Sequence, residues 1–266
     1  GFITRYEVGG NSLLGEGGSL KPNFWRAVTD NDMGAQSQKN FAAWRTPKMK
    51  LRSLTVDKKL KTAVAVYNMP AVKSTLTLTY QVEANGTLVV TQNLKTPPGA
   101  KVSEMLRFGM VMNLPYDMDQ VQWNGRGPVE NYSDRKISQN VGIYHATADD
   151  LFYPYIRPQE TGTMSDLRWW NQTNKNGVGF RVESDKLFSA SALHYDLLTL
   201  DEGKEKKQRH SQSVEKSKYT NLFIDLVQSG VGGVDSWGGD GRARKGHRVE
   251  YKDYTFSFRI APKTLY

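Results

Sequence analysis

The sequence predicts an all-β fold, a large antiparallel β-sandwich, and three observations carry that expectation. Apolar and polar residues alternate with a period of two wherever the chain is patterned. Gly, Pro and Asn turns separate the alternating runs. Helical periodicity is confined to two weak stretches, Ala35 to Trp44 and the turn-length Thr147 to Leu151. In chain order, Leu76, Leu78, Tyr80 and Val82 are each separated by one polar residue, which puts four apolar side chains on one face of a strand. Asn85-Gly86 then tolerates the positive φ of a tight turn, and Leu88, Val90 and Leu94 resume, so residues 74 to 94 read as a β-hairpin. The same grammar places Asn176-Gly177 between the Leu167 to Trp170 stretch and Val178 to Val182. Leu222, Ile224 and Leu226 mark a further strand, and Tyr254, Phe256, Phe258 and Ile260 another.

At 266 residues the chain has room for a sizeable core, and large all-β folds of this length form one domain. With no internal repeat or low-complexity linker, residues 1–266 read as a single domain. There is no cysteine, which excludes disulfides, thiolate nucleophiles and Cys-type zinc sites. No run of about 18 apolar residues offers a membrane-spanning helix. No charged-then-apolar leader opens the chain, which says nothing about compartment for a chain that reads as an excised piece. The formal charge of +9 favours an anionic partner, yet the basic residues are spread out except for Lys204 to Arg209 and Arg242 to Arg248. Without a helix-turn-helix, zinc-finger or RNP-like pattern these read as solvated loops, and nucleic acid is not expected as a partner.

Two stretches look like neither strand nor turn. Residues 121–135 and 153–170 combine glycine and proline with dense hydrogen-bonding side chains, and such polar loops are where a β-scaffold places binding groups. They hold Glu130, Asp134, Glu160 and Asp166. These carboxylates are expected to pair with Arg126, Arg135, Arg157 and Arg168 and so to brace irregular backbone. Asp30-Asn31-Asp32 offers adjacent oxygen ligands for a cation but lacks the alternate spacing and terminal glutamate of an EF-hand. His145, His210 and His247 have no metal-site spacing. Trp25, Trp44, Trp123, Trp169 and Trp170 are read as core or interdomain packing.

Several long motifs occur in one order. Pro22-Asn23-Phe24-Trp25-Arg26-Ala27-Val28-Thr29-Asp30-Asn31-Asp32-Met33-Gly34 opens the series. Gly125-Arg126-Gly127-Pro128, Glu130-Asn131-Tyr132 and Asp134-Arg135 follow, then Pro154-Tyr155-Ile156, Pro158-Gln159-Glu160 and Gly162. Ser191-Ala192-Leu193-His194-Tyr195, Gln208-Arg209-His210, Gly232-Gly233 and Asp235-Ser236-Trp237-Gly238 complete it. From about Leu20 to Pro262 the chain resembles the C-terminal, small-chain domain of family 2 β-galactosidases.

That resemblance implies a β-supersandwich similar to galactose mutarotase. It also implies a bacterial multidomain parent, cytoplasmic or periplasmic and homo-oligomeric, that hydrolyses terminal β-galactosides. The parent's catalytic glutamates, and any Mg2+ or monovalent cation, belong to an earlier barrel domain. No cofactor, metal or catalytic residue is expected in this one. The domain's partners are then the preceding domains, chiefly the barrel, and the galactoside. Trp237 matches a loop that reaches the barrel's site and stacks on the non-galactose part of the substrate, with Asp235 bracing it and flanking glycines freeing it to project.

Two rival readings make use of other residues. A carbohydrate-binding module would gather Arg126, Glu130, Arg135, Glu160 and His194 in one open cleft. A mutarotase or epimerase would further need His194 within hydrogen-bond reach of Glu130 or Glu160. A purely structural domain, serving interdomain and oligomer contacts, would instead show clustered apolar surface.

Overall fold

The computed structural model describes residues 1–201, 203–205 and 209–263, so Lys206, Lys207 and Gln208 of the first basic cluster lie outside the described residues. A small hairpin, β1 (Glu7–Val8) and β2 (Asn11–Ser12), precedes β3 (Leu20–Asn23). Short helices α1 (Asp30–Gly34) and α2 (Ser37–Asn40) and a 3-10 turn at Ala42–Trp44 follow. The strands then run β4 (Lys50–Asp57), β5 (Thr62–Met69), β6 (Ser74–Val82), β7 (Leu88–Lys95), β8 (Arg107–Pro115), β9 (Gln120–Gly127) and β10 (Asn140–Thr147). After α3 (Ala148–Leu151) come β11 (Met164–Thr173), β12 (Gly179–Leu193), α4 (Leu197–Leu200), β13 (Tyr219–Gln228) and β14 (Tyr254–Lys263).

Among the described residues β3 to β14 form one antiparallel sheet that forks at β12. The first residues of this long strand, Gly179 to Glu183, pair with β14, and the last, Ser189 to Leu193, pair with β13. One arm therefore runs β14-β7-β6-β5-β4, the other β13-β8-β3, and β11, β9 and β10 continue on the far side of β12. The arms share one core. Leu76, Leu78, Val90, Phe256 and Phe258 of the first belong to the same buried cluster as Met110, Met112, Leu222 and Ile224 of the second. Phe108 of β8 stacks on Tyr254 of β14 at 5.0 Å. Burying so many large apolar side chains, at about 25 cal/mol per Å², is the main force that closes the sandwich.

The hairpin of residues 74–94 is β6 and β7, with Val82 opposite Leu88 and Gly86 at φ 82°. Gly177, at φ 79°, turns the chain between β11 and β12. Thr147 caps α3 through a capping box with Asp150. The stretch from Ala35 to Trp44 is the short α2 and the 3-10 turn rather than one helix.

Strands also form where the sequence reads as loop. Residues 120–127 are β9, and β11 (164–173) begins ahead of the Leu167 to Trp170 stretch already read as strand; the two pair through Trp123 and Trp170. The alternation in β9 is real, with Val121, Trp123 and Gly125 inward and Gln122, Asn124 and Arg126 outward. It is masked because glycine takes an inward place where Leu167 packs too closely for a side chain, its Cδ2 lying 2.5 Å from where a Cβ would stand.

Candidate functional site

Trp237 is the most exposed tryptophan that the structure describes, at 72 % of its surface, and it stands on a segment that is anything but loose. The anchoring begins with α1. Thr29 and Asp32 close a capping box, and Asp32 also receives Arg26 Nη1 at 2.6 Å, in a pair buried on both sides. Arg26 Nη2 donates onward to the Gly230 carbonyl at 2.9 Å. From the other side, the Asp134 carboxylate accepts the amides of Val231 at 3.1 Å and Gly232 at 2.9 Å. Farther along, Asn31 Nδ2 donates to the Asp235 carbonyl at 3.0 Å, and a side chain at Gly34 would collide with the Ser236 carbonyl. Val234 N–H donates to the Asp240 carbonyl at 2.8 Å, which closes the loop on itself. The Asp235 carboxylate accepts the Trp237 amide at 3.0 Å.

The glycines of this loop differ in purpose. Gly233 sits under Asp240 and Gly241, whose carbonyl oxygens would lie 2.6 Å from a Cβ, so it permits a close approach rather than freedom. Gly238 supplies a φ of 62° just after Trp237. Asp30-Asn31-Asp32 is the first turn of α1, and the Asp32 carboxylate is occupied by Thr29 and Arg26.

Beside this loop opens a polar pocket of about 180 Å³ lined by Glu130, Tyr132, Arg135, Tyr155, Glu160 and Val231, with Asn31 at its rim. Glu130 is its hub, accepting from Arg135 Nη2, from the hydroxyls of Tyr132 and Tyr155, and from the Gly162 amide at 2.6 Å. Burial, reinforced by the charges of Glu160 and Glu130, pushes the Tyr132 hydroxyl well above its ordinary value. Burial and the bond to Glu130 raise that of Tyr155. Both phenols are therefore hydrogen-bond donors and stay protonated at neutral pH.

Glu130, Arg135 and Glu160 thus share one pocket, while Arg126 and His194 stand elsewhere. Arg126 donates to Asp166 at 2.6 Å and to the carbonyls of Lys136 and Gln139. Burial works to raise the Asp166 carboxyl, but bonds from Lys136 and Arg126 overcome it and hold the group below its ordinary value. Arg168 turns back to the Asp166 carbonyl, and Arg157 reaches Asp30 at 2.8 Å. His194 is buried, stacked on Tyr116 with its Nδ1 3.3 Å from the Thr220 hydroxyl. Burial lowers its pKa, opposed by Asp149, so the ring is neutral near pH 7.

Sequence reasoning missed the charged cluster beneath the pocket. Arg107, on β8, donates to Glu160 at 2.9 Å and lies 3.3 Å from Asp225 of β13, with all three side chains almost fully buried. The Asp225 pair is an ion contact only, since neither carboxylate oxygen makes a hydrogen bond. Burial, abetted by Glu160 and resisted by Arg107, raises the Asp225 carboxyl to about 7. The signal was present: Leu106-Arg107-Phe108 and Ile224-Asp225-Leu226 each set one charge inside an apolar run.

No group of three or more His, Asp or Glu that could hold a metal ion occurs among the described residues.

The family model for the β-galactosidase small chain matches residues 1–260. The chain is 30 % identical over 241 residues to a β-galactosidase of Priestia megaterium, covering 89 % of this chain and 22 % of that protein. It is 34 % identical over 222 residues to a β-galactosidase of Lactobacillus delbrueckii subsp. bulgaricus, covering 81 % and 21 %. It thus spans about one-fifth of the length of these relatives. Among solved structures it is similar to an Escherichia coli protein provisionally assigned as an aldose 1-epimerase, with a TM-score of 0.53 at 10 % identity, over 100 % of this chain and 93 % of that one. Identity that low speaks for the fold alone, the β-supersandwich of the mutarotase type.

Proposed function

Since the chain belongs to the β-galactosidase small-chain family, we propose that it works as a supporting domain of a β-galactosidase and lends Trp237 to recognition of the substrate's aglycone. The observation that carries this reading is Trp237 itself, a large aromatic left 72 % exposed on a loop held by Arg26, Asn31 and Asp134. A flat ring fixed in place and open to solvent suits the C–H face of a sugar, and its rigidity lowers the entropy lost on binding. Exposed Val234 on the same loop, with Tyr153 and Ile156 flanking Tyr155 of the pocket, gives this face the apolar surface that packing against another domain would cover.

The chemistry of the whole enzyme is hydrolysis of terminal β-galactosides, with the acid/base and nucleophile carboxylates supplied by another domain. Retaining hydrolysis uses two carboxyl groups about 5–5.5 Å apart, flanking the scissile bond. In this chain Glu130 and Glu160 are tied up by tyrosine, arginine and backbone donors, which supports a bracing role. Any Mg2+ or monovalent cation would likewise serve the catalytic domain.

The test is Trp237→Ala in the full-length enzyme. Losing a stacking contact of about 0.5–1.5 kcal/mol plus its buried area should weaken aglycone-dependent binding and transfer to sugar acceptors roughly tenfold. Unchanged kinetics on lactose and on acceptors would overturn the proposal.

A further inference from the structure

A second pocket, about 210 Å³, shares Tyr132 with the first. Gln228, at the end of β13, lines it, and this side chain is nine-tenths buried with neither its amide nitrogen nor its oxygen bonded to any protein group. The Ser133 hydroxyl lines the same pocket and is also buried without a partner. Buried polar groups are almost always hydrogen-bonded, so an orphan donor, an orphan acceptor and an orphan hydroxyl at one cavity point to something that fills it.

The lining limits what that is. Lys136 is held by Asp166 at 2.7 Å, and Arg248 by the Ala243 carbonyl at 2.5 Å with Glu104 at 3.7 Å, so the nearby cations already have their counter-charges. That leaves His247 and neutral donors and acceptors facing an apolar wall of Leu187, Val227 and Val249. A pocket below the roughly 300–1,000 Å³ that holds drug-sized ligands admits one ring rather than a chain.

We infer that the Gln228–Ser133 pocket binds one neutral polyhydroxylated ring, a single monosaccharide unit. The carboxamide of Gln228 gives and accepts a hydrogen bond with neighbouring hydroxyls, Ser133 takes a third, and the apolar wall covers the C–H face. The inference does not depend on the role given to Trp237.

The experiment is saturation-transfer NMR on the 266-residue chain titrated with D-galactose, with inorganic phosphate as a second probe. Gln228→Leu and Ser133→Ala variants are run beside it. The expected result is saturable galactose binding that Gln228→Leu weakens at least tenfold while its melting temperature is kept or raised, because an unsatisfied buried amide has been removed. Should Gln228→Leu fail to fold, Ser133→Ala must show the weakening instead. The inference is overturned if galactose does not saturate, which would mean a pocket filled by water alone. It is also overturned if phosphate binds in its place, or if the folded pocket variants bind as well as the parent.

Discussion

Asp134 and Gly232 are joined by a hydrogen bond of 2.9 Å, from the glycine amide to the carboxylate, and this bond sets where the Trp237 loop leaves the sandwich. The same carboxylate takes the Val231 amide, and Gly230 has no side chain because Asp134 fills that space. The anchor comes from one side, after β9, while Arg26 and Asn31 come from the segment after β3 and from α1 on the other. Two segments distant in sequence thus converge on one short loop.

Asp134→Ala should therefore loosen the loop without unfolding the sandwich. Two charge-assisted bonds are lost, and at this partly exposed site each is worth about 1 kcal/mol, near the low end for such bonds. Amide hydrogen exchange at Val231 and Gly232 should accelerate by roughly ten- to a hundredfold, with β6, β7 and β14 unchanged. Asp134→Asn, which keeps one acceptor, should fall between. Equal protection in all three proteins would show that Arg26 and Asn31 suffice to hold the loop.

Asp225 makes a pH prediction whose sign is unusual for a carboxylate. Its folded value, raised to about 7 by burial, stands above the ordinary carboxylate range. Between about pH 4 and pH 7 the unfolded chain has given up this proton while the folded chain still holds it. Stability from this group is therefore highest at the acid end of that window and is lost as pH rises. The charges facing it are Arg107 at 3.3 Å and Glu160, itself bonded to Arg107. Asp225→Asn keeps the shape and removes the titration. Melting temperatures of parent and variant, followed from pH 4 to pH 8, should show the parent losing ground relative to the variant up to about pH 7 and a constant gap beyond. A gap independent of pH would mean that Asp225 ionises freely beside Arg107.

The strands were legible wherever their inward residues carry large side chains. Leu76, Leu78 and Tyr80, or Phe256, Phe258 and Ile260, announce their face directly. Alternation disappears from view at Gly125, where Leu167 fills the space, and at buried Asn171 and Gln172, which bond to Gln122 and Met118 instead of packing. Pairing of carboxylates with arginines in the polar stretches was also legible, but partner choice was not. Glu160, in the loop before β11, is bonded by Arg107 of β8, more than fifty residues away, and no local spacing encodes that contact. The motif singles out Trp237, whereas the bracing of its loop by Asn31 and Gly34 depends on a tertiary approach of α1 that no local spacing encodes.

His194 decides a last prediction, that the isolated chain neither hydrolyses β-galactosides nor accelerates galactose mutarotation. A mutarotase needs an imidazole and a carboxylate converging on one sugar, each within hydrogen-bond reach of its oxygen. Here the His194 ring lies against Tyr116 at 3.9 Å and beside Thr220, whereas Glu130 and Glu160 are bonded around a different pocket. The ring is also almost wholly buried, so a sugar has no path to it without moving Tyr116. Optical rotation of fresh α-D-galactose with the chain at high concentration should decay at the buffer rate, and a chromogenic β-galactoside should stay uncleaved. His194→Gln should change neither trace but lower the melting temperature, since a packed aromatic contact of about 0.5–1.5 kcal/mol is lost. Mutarotation above the buffer rate that vanishes in His194→Gln would instead make His194 a catalytic residue and require Tyr116 to swing aside.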